Sequence, residues 1–402
     1  MGRASIFVLF AAVLLMVPAS NIMLEEQVTS DTIAQNRNTR NRNNTPSISS
    51  SRHREITNQA SRIVSSIDIR TLAAQVFLTA VDGRETISSG TRQLLTEIPP
   101  GGVILFGYNL GQNPERTREY IEELSHCIGD VTVVPFIATD QEGGGVQRFR
   151  GDAALPSPIS YWERLQGMEN QNNALDTVIS SVEEDATVSG RELRRIGVTM
   201  NLAPVAEILT TENSPFLRNR SYGPDSSFTI RASSAFIRGM ESARIAATLK
   251  HFPGNCSVDP HYHRAVLTIS DAELERKIHP FRELIRLESP AVVMVSHVIV
   301  PSWDTIPLSR SSVAVRKLRE MSFTGIIMSD DFAMVAAGAP PEISVVEALA
   351  AGVDMIIVWP RDIRRIYQAV LSALETGELS EGRIRQAAER IIYQKIRYGL
   401  IL

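Results

Sequence analysis

At 402 residues, with 43% hydrophobic and 21% charged residues and a formal net charge of -4, the chain has the make-up of a globular protein of one large or two ordinary domains. The mild negative balance supplies no electrostatic ground for nucleic-acid binding. Its two cysteines, Cys127 and Cys256, form no CxxC, which excludes a disulfide framework, a thiolate zinc site and a thiol redox motif and leaves one disulfide open.

Arg3, a twelve-residue apolar run over 6–17 and then Pro18, Ala19 and Ser20 have the form of a secretory signal. The run is shorter than the roughly 20 residues that span a bilayer. Residues 1–20 are therefore expected to be a signal peptide, which tethers the chain to a membrane if it stays uncleaved. The body is expected outside the cytoplasm, periplasmic or secreted. Residues 21–57, dominated by Asn, Arg, Ser and Thr, read as a disordered polar tether. The folded domain is expected over 58–402.

Eight apolar, β-prone runs follow: 72–79, 101–107, 131–140, 197–205, 246–252, 291–297, 324–331 and 352–358. They are near-continuously apolar rather than alternating, which predicts a sheet covered on both faces. Between them lie helical patterns. Asn113 and Pro114 mark one N-terminus, and Ser270 with Glu273 has capping-box spacing. Residues 380–396 carry apolar side chains at helical intervals. Eight strand-then-helix units predict a (β/α)8 barrel. A doubly wound open sheet would want a glycine-rich phosphate loop after its first strand, and none is visible.

Barrel active sites lie at the C-terminal strand ends. Here those ends carry Asp140-Gln141-Glu142, Lys250-His251, Ser296-His297 and Asp330-Asp331. Adjacent Asp330 and Asp331 offer a carboxylate nucleophile or metal ligand beside one held by backbone donors, or simply a helix-start pair. Glycines 143–145 are read as letting backbone approach a ligand, with Arg148 as a fork for hydroxyls or carboxylates. Three of the seven histidines, His251, His261 and His263, fall within 250–263. His261-Tyr262-His263 permits a zinc site. Asp259 two residues before His261 permits a carboxylate-tuned proton donor.

The blocks TDQEGGGVQRF, MNLAPV, NRSYGPD, KHFPG, DPH and MSDDFAM, in that order, resemble family 3 glycoside hydrolases, in particular NagZ-type β-N-acetylglucosaminidases, over about 65–395. The resemblance implies a single catalytic domain without a C-terminal sandwich domain, and a retaining exo-β-N-acetylglucosaminidase acting on GlcNAc-terminated glycans such as peptidoglycan fragments. It implies Asp330 as nucleophile, His261 as general acid/base and Asp259 as its partner. Asp140, Arg148, Arg220, Lys250 and His251 would bind the sugar. It implies no cofactor and no metal, a small-molecule glycan substrate and a monomer. With imidazole in place of a second carboxylate, phosphate meets less repulsion than usual, so a phosphorylase is an alternative, as is a β-glucosidase. A zinc amidohydrolase and a non-catalytic sugar-binding protein are the readings from other classes. Three features depart from the pattern. Asn255-Cys256 stand where relatives carry His-Gly in a slightly longer loop, leaving His263 as reserve acid/base. Gly145 stands where arginine is common. The chain also carries an export signal.

Overall fold

The structure, a computed structural model, describes residues 50–402 apart from 112, 129–133 and 169–170. The signal-peptide reading of 1–20 and most of the tether reading of 21–57 lie outside the described residues.

Eight parallel strands form one sheet. They are β1 Phe77–Ala80, β2 Gly102–Leu105, β3 Phe136–Thr139, β4 Met200–Asn201, β5 Ala246–Phe252, β6 Val292–Val295, β7 Ile326–Ser329 and β8 Ile356–Val358. Their order is β8-β1-β2-β3-β4-β5-β6-β7. The edges meet where Met328 bridges Met355 and the Ser329 N–H donates to the Met355 carbonyl at 3.0 Å, so the sheet closes on itself. This is the (β/α)8 barrel that the eight runs predict, and each run supplies one strand.

The strands are apolar on both sides because each side is buried. Leu78, Ile104, Phe136, Met200, Met294 and Met328 fill the barrel's interior. Phe77, Val103, Ile137, Val293 and Ile327 point outward into a second apolar layer beneath the helices. Each such side chain stabilises the fold by roughly 1.5–3 kcal/mol.

Two boundaries differ from the sequence reading. The run at 72–79 is split: Leu72 to Gln75 end a helix, Ile69–Gln75, that Asp68 caps by accepting from the Thr71 N–H at 3.0 Å. Only its second half enters β1. The folded unit also begins at Ser50, inside the stretch read as tether. Ser50–Ser66 is a helix because Ile56, Ala60 and Val64 recur every fourth residue and bury against the helix Glu381–Arg397. Its other faces are polar, which hid the stripe. The predicted caps form as drawn: Ser270 and Glu273 make a reciprocal capping box, and Pro114 opens its helix. No helix among the described residues is long and apolar enough to cross a membrane.

Candidate active site

The C-terminal strand ends gather the charges at the barrel mouth. Lys250, at the end of β5, is buried and places Nζ 2.9 Å from Asp140 Oδ1 and 2.7 Å from Glu142 Oε1. Arg148 donates to Asp140 Oδ2 at 3.1 Å. Arg220 forks onto Glu142 through Nε at 2.8 Å and Nη2 at 2.9 Å. Three cations therefore face two carboxylates. Burial opposes ionisation of Asp140, but Lys250 and Arg148 outweigh it and hold the carboxyl below its ordinary value. Glu142 is likewise held well below the carboxylate range, burial being overcome by Lys250 and Arg220.

The glycine-rich stretch is built differently from its sequence reading. Gly143 and Gly144 adopt positive φ (106° and 55°) in a two-strand hairpin, Gln141–Gly143 against Val146–Gln147. A Cβ on Gly143 would stand 2.1 Å from the Pro156 carbonyl oxygen. These two glycines serve the turn and its packing. Gln141 ties the loop beyond: its Oε1 accepts from the Arg148 and Phe149 N–H groups at 2.9 and 3.0 Å. Arg148 is presented to the mouth this way. Gly145, by contrast, has open space around its Cβ position.

On the opposite side of the mouth, Asp330 and Asp331 follow β7 in different environments. Asp331 is fastened: Oδ1 accepts from the Ala333 N–H at 2.8 Å and Oδ2 from Trp359 Nε1 at 2.6 Å. Burial keeps its carboxyl above the ordinary value. Among the described residues Asp330 accepts only the Asp331 N–H, at 2.9 Å through Oδ1. Burial would raise it too, but the imidazoles of His251 and His297, that N–H and the Lys250 ammonium overbalance burial and hold it below. His297 adds to this only in acid, because burial pushes its own value down. Its Nε2 donates to the Asp331 carbonyl at 2.9 Å, so neutral Nδ1 accepts the Ser309 hydroxyl at 2.6 Å.

His251 Nδ1 lies 2.8 Å from Glu207 Oε1. Asn255 donates to the same carboxylate through its N–H at 2.6 Å and its Nδ2 at 2.9 Å. Asn255 thus has a structural partner in Glu207.

Asp259 and His261 are set apart from this network. They sit on an exposed loop, where Asp259 Oδ1 accepts both the His261 N–H at 2.9 Å and its Nδ1–H at 2.7 Å. Those bonds overcome burial and keep Asp259 below its ordinary value. The ring so held is that of His261, not of His263. The loop is pinned across to the one after β7: the Val335 N–H donates to the His261 carbonyl at 3.3 Å and the Ala336 N–H to the Pro260 carbonyl at 3.1 Å. It is thereby anchored four or five residues past Asp331. No hydrogen bond joins the pair to the buried network among the described residues.

Of the sequence candidates, Asp140, Arg148, Arg220, Lys250, His251 and Asp330 converge, whereas Asp259 and His261 lie on a separate loop pinned to the one after β7. Glu142, Glu207, His297 and Trp359 were not singled out as site residues. Glu142 and His297 stand among the polar strand-end residues read from the sequence, without a role assigned to them. Glu207 follows an apolar run, and only its place just past β4 could have marked it. Cys127 and Cys256 are free thiols, so the open disulfide does not form. Among the described residues no group of three or more His, Cys, Asp or Glu side chains is arranged to hold a metal ion.

A closed parallel barrel whose mouth gathers buried, paired carboxylates and cations defines the class, and comparison with known proteins defines the family. The glycosyl hydrolase family 3 N-terminal domain matches residues 69–393, and the chain belongs to that family. It is 30% identical over 317 residues to the beta-hexosaminidase of Vibrio cholerae serotype O1 strain M66-2, covering 77% of this chain and 90% of that protein. The beta-hexosaminidase of Psychromonas ingrahamii is 32% identical over 285 residues, covering 69% and 80%. Among solved structures, the family 3 beta-N-acetylglucosaminidase of Paenibacillus sp. FPU-7 superposes with a TM-score of 0.76 at 28% identity. That match covers 83% of this chain and 63% of the Paenibacillus chain, so the chain spans a little under two thirds of that enzyme.

Proposed function

We propose that the chain is a retaining exo-β-N-acetylglucosaminidase that removes terminal GlcNAc from glycans, peptidoglycan fragments among them. The observation that carries this reading is the split between neighbouring carboxyls. Asp331 is bound on both oxygens, whereas Asp330 is held anionic by cationic neighbours and keeps Oδ2 without a partner among the described residues. The similarity to proteins named as beta-hexosaminidases supports the same reading.

In this mechanism Asp330 attacks the anomeric carbon and forms a covalent glycosyl-enzyme. His261 donates its Nε2 proton to the leaving oxygen, the ring being oriented by Asp259 at Nδ1. In the second step Nε2 takes a proton from water, which displaces Asp330. Asp140, Arg148, Arg220, Lys250 and His251 bind the ring hydroxyl and acetamido groups.

The deciding experiment uses aryl N-acetylglucosaminides. Asp330→Ala is expected to lose turnover, and undiminished activity refutes the nucleophile. His261→Ala is expected to slow glycosylation most for poor leaving groups, which need the proton. Equal slowing for an activated aryl glycoside refutes the acid role. A 10-fold preference for the glucoside over the N-acetylglucosaminide, or sugar 1-phosphate as the main product in phosphate buffer, replaces the reading with one of its same-fold alternatives.

We also propose that residues 1–20 export the chain. Expression in a bacterial host, fractionation and N-terminal sequencing test this, and full-length protein confined to the cytosol refutes it.

A further inference from the structure

Glu207 is a buried carboxylate that the mechanism above leaves without a task. It is 2% exposed, and its acceptor positions are filled by His251 Nδ1, the Asn255 N–H and Asn255 Nδ2. A carboxylate only accepts, so Nδ1 of His251 carries the hydrogen at this contact. His251 Nε2 takes no partner among the described residues. The imidazole is thus gripped on its Nδ1 edge, and its charge favours the ionised form of Asp330. Asn255 grips from the opposite side: its N–H and amide hold both carboxylate oxygens, and the turn at Gly254 passes 3.6 Å from Glu207 Oε2 at its Cβ position.

We propose that Glu207 is a positioning residue for the glycosyl transfer, setting through His251 the tautomer and ring orientation presented to the sugar and to Asp330. This rests on the reading of Asp330 as nucleophile. Glu207 touches no reacting atom. Its effect is carried by His251, whose backbone N–H also donates to Glu207 Oε1 at 3.4 Å, as a buried carboxylate orients a histidine elsewhere.

The charged and titratable groups around His251 and Asp330 include Asp140, Glu142 and Arg148 after β3, Glu207 after β4, Arg220, Lys250 on β5, Lys277, which donates to the Asn255 carbonyl at 3.4 Å, His297 after β6 and Asp331 after β7. Among them Glu207 is the one joined to His251 by a hydrogen bond. Glu207→Gln keeps the shape but puts an NH2 against either the His251 N–H or the Asn255 N–H, both donors.

The test is the rate at which a 5-fluoro N-acetylglucosaminyl fluoride labels Asp330, followed by intact mass from pH 3 to 8. Wild type, Glu207→Gln, His251→Ala and the double variant are compared. Glu207→Gln is expected to label about tenfold more slowly at pH 4, with its acid limb moved up by about one pH unit. In the His251→Ala background the same change is expected to add nothing. Additive losses, or a Glu207→Gln profile parallel to wild type, overturn the proposal. Wild type that never labels refutes the nucleophile assignment instead, so the two failures are separable. Should Glu207→Gln not fold, nitrogen-15 NMR of wild-type histidines decides. A hydrogen on His251 Nδ1 that Asn255→Ala leaves in place supports the grip, and an unprotonated Nδ1 overturns it.

Discussion

Both ends of the barrel bury charge, and they do so in opposite ways. At the N-terminal end Asp354, fully buried, accepts from Arg319, Arg383 and Arg390 at 2.7, 2.6 and 2.9 Å. Spare guanidinium donors go to backbone carbonyls of Leu349, Val353, Phe323 and Gly325. Nearby Lys395 donates to Gln75 Oε1 at 2.7 Å and lies over the Phe136 ring. Those groups are consumed in closing the barrel. At the C-terminal end the carboxylates and cations pair just as closely, but Asp330 Oδ2 and His251 Nε2 keep open valences among the described residues. Buried charge closes one end and equips the other. The difference lies in which atoms are left over, not in how many charges are present.

The largest expected effect separates the ends outright. Asp330→Asn should lower kcat on the order of 10⁴-fold with little change in unfolding midpoint. Asp331→Asn should cost far less activity, since its oxygens already serve Trp359 and Ala333. Comparable losses in the two would erase the distinction between neighbours.

At the other end, Asp354→Asn should leave kcat near wild type and lower stability by about 3–5 kcal/mol, because three guanidiniums lose their counter-charge. Denaturant unfolding measures it, and a loss confined to activity would contradict the division.

The two ends should also answer pH differently. Asp330 is depressed in the folded state, so kcat/KM should hold as pH falls past about 3.9, the ordinary aspartate value, and decline only below it. Lys395 is pushed down to about 7 by burial, against an unfolded value near 10.4. Between those values the unfolded chain holds the extra proton, so stability should rise as pH increases from about 7 towards 10. Lys395→Met should flatten that rise, which chemical denaturation at several pH values would show. The smallest effect falls in the hairpin: Gly145→Ala should shift stability by less than about 0.5 kcal/mol, whereas Gly143→Ala, at φ 106° and against Pro156, should cost more.

Much of this was legible in the chain. The eight apolar runs mark the strands because a parallel barrel strand is buried on both faces. Ser270 and Glu273 mark a helix start because capping is local. The strand-end residues marked the mouth because barrel topology puts those ends together. The misreadings were of two kinds. The Ile56-Ala60-Val64 stripe was lost among polar neighbours, and the run at 72–79 hid a helix-to-strand junction that apolar composition does not reveal.

The sequence by itself determined the order of strands, the family's blocks and the identity of the paired carboxylates at 330 and 331, since these depend on local pattern. Only the tertiary structure decided how the charges divide. Asp140 meets Lys250 across 110 positions of chain, and Glu207 meets His251 across 44. Which of two adjacent aspartates ionises more readily depends on such partners. Closure of the barrel sets those distances, and no local stretch of sequence encodes the field at a point where five strands end.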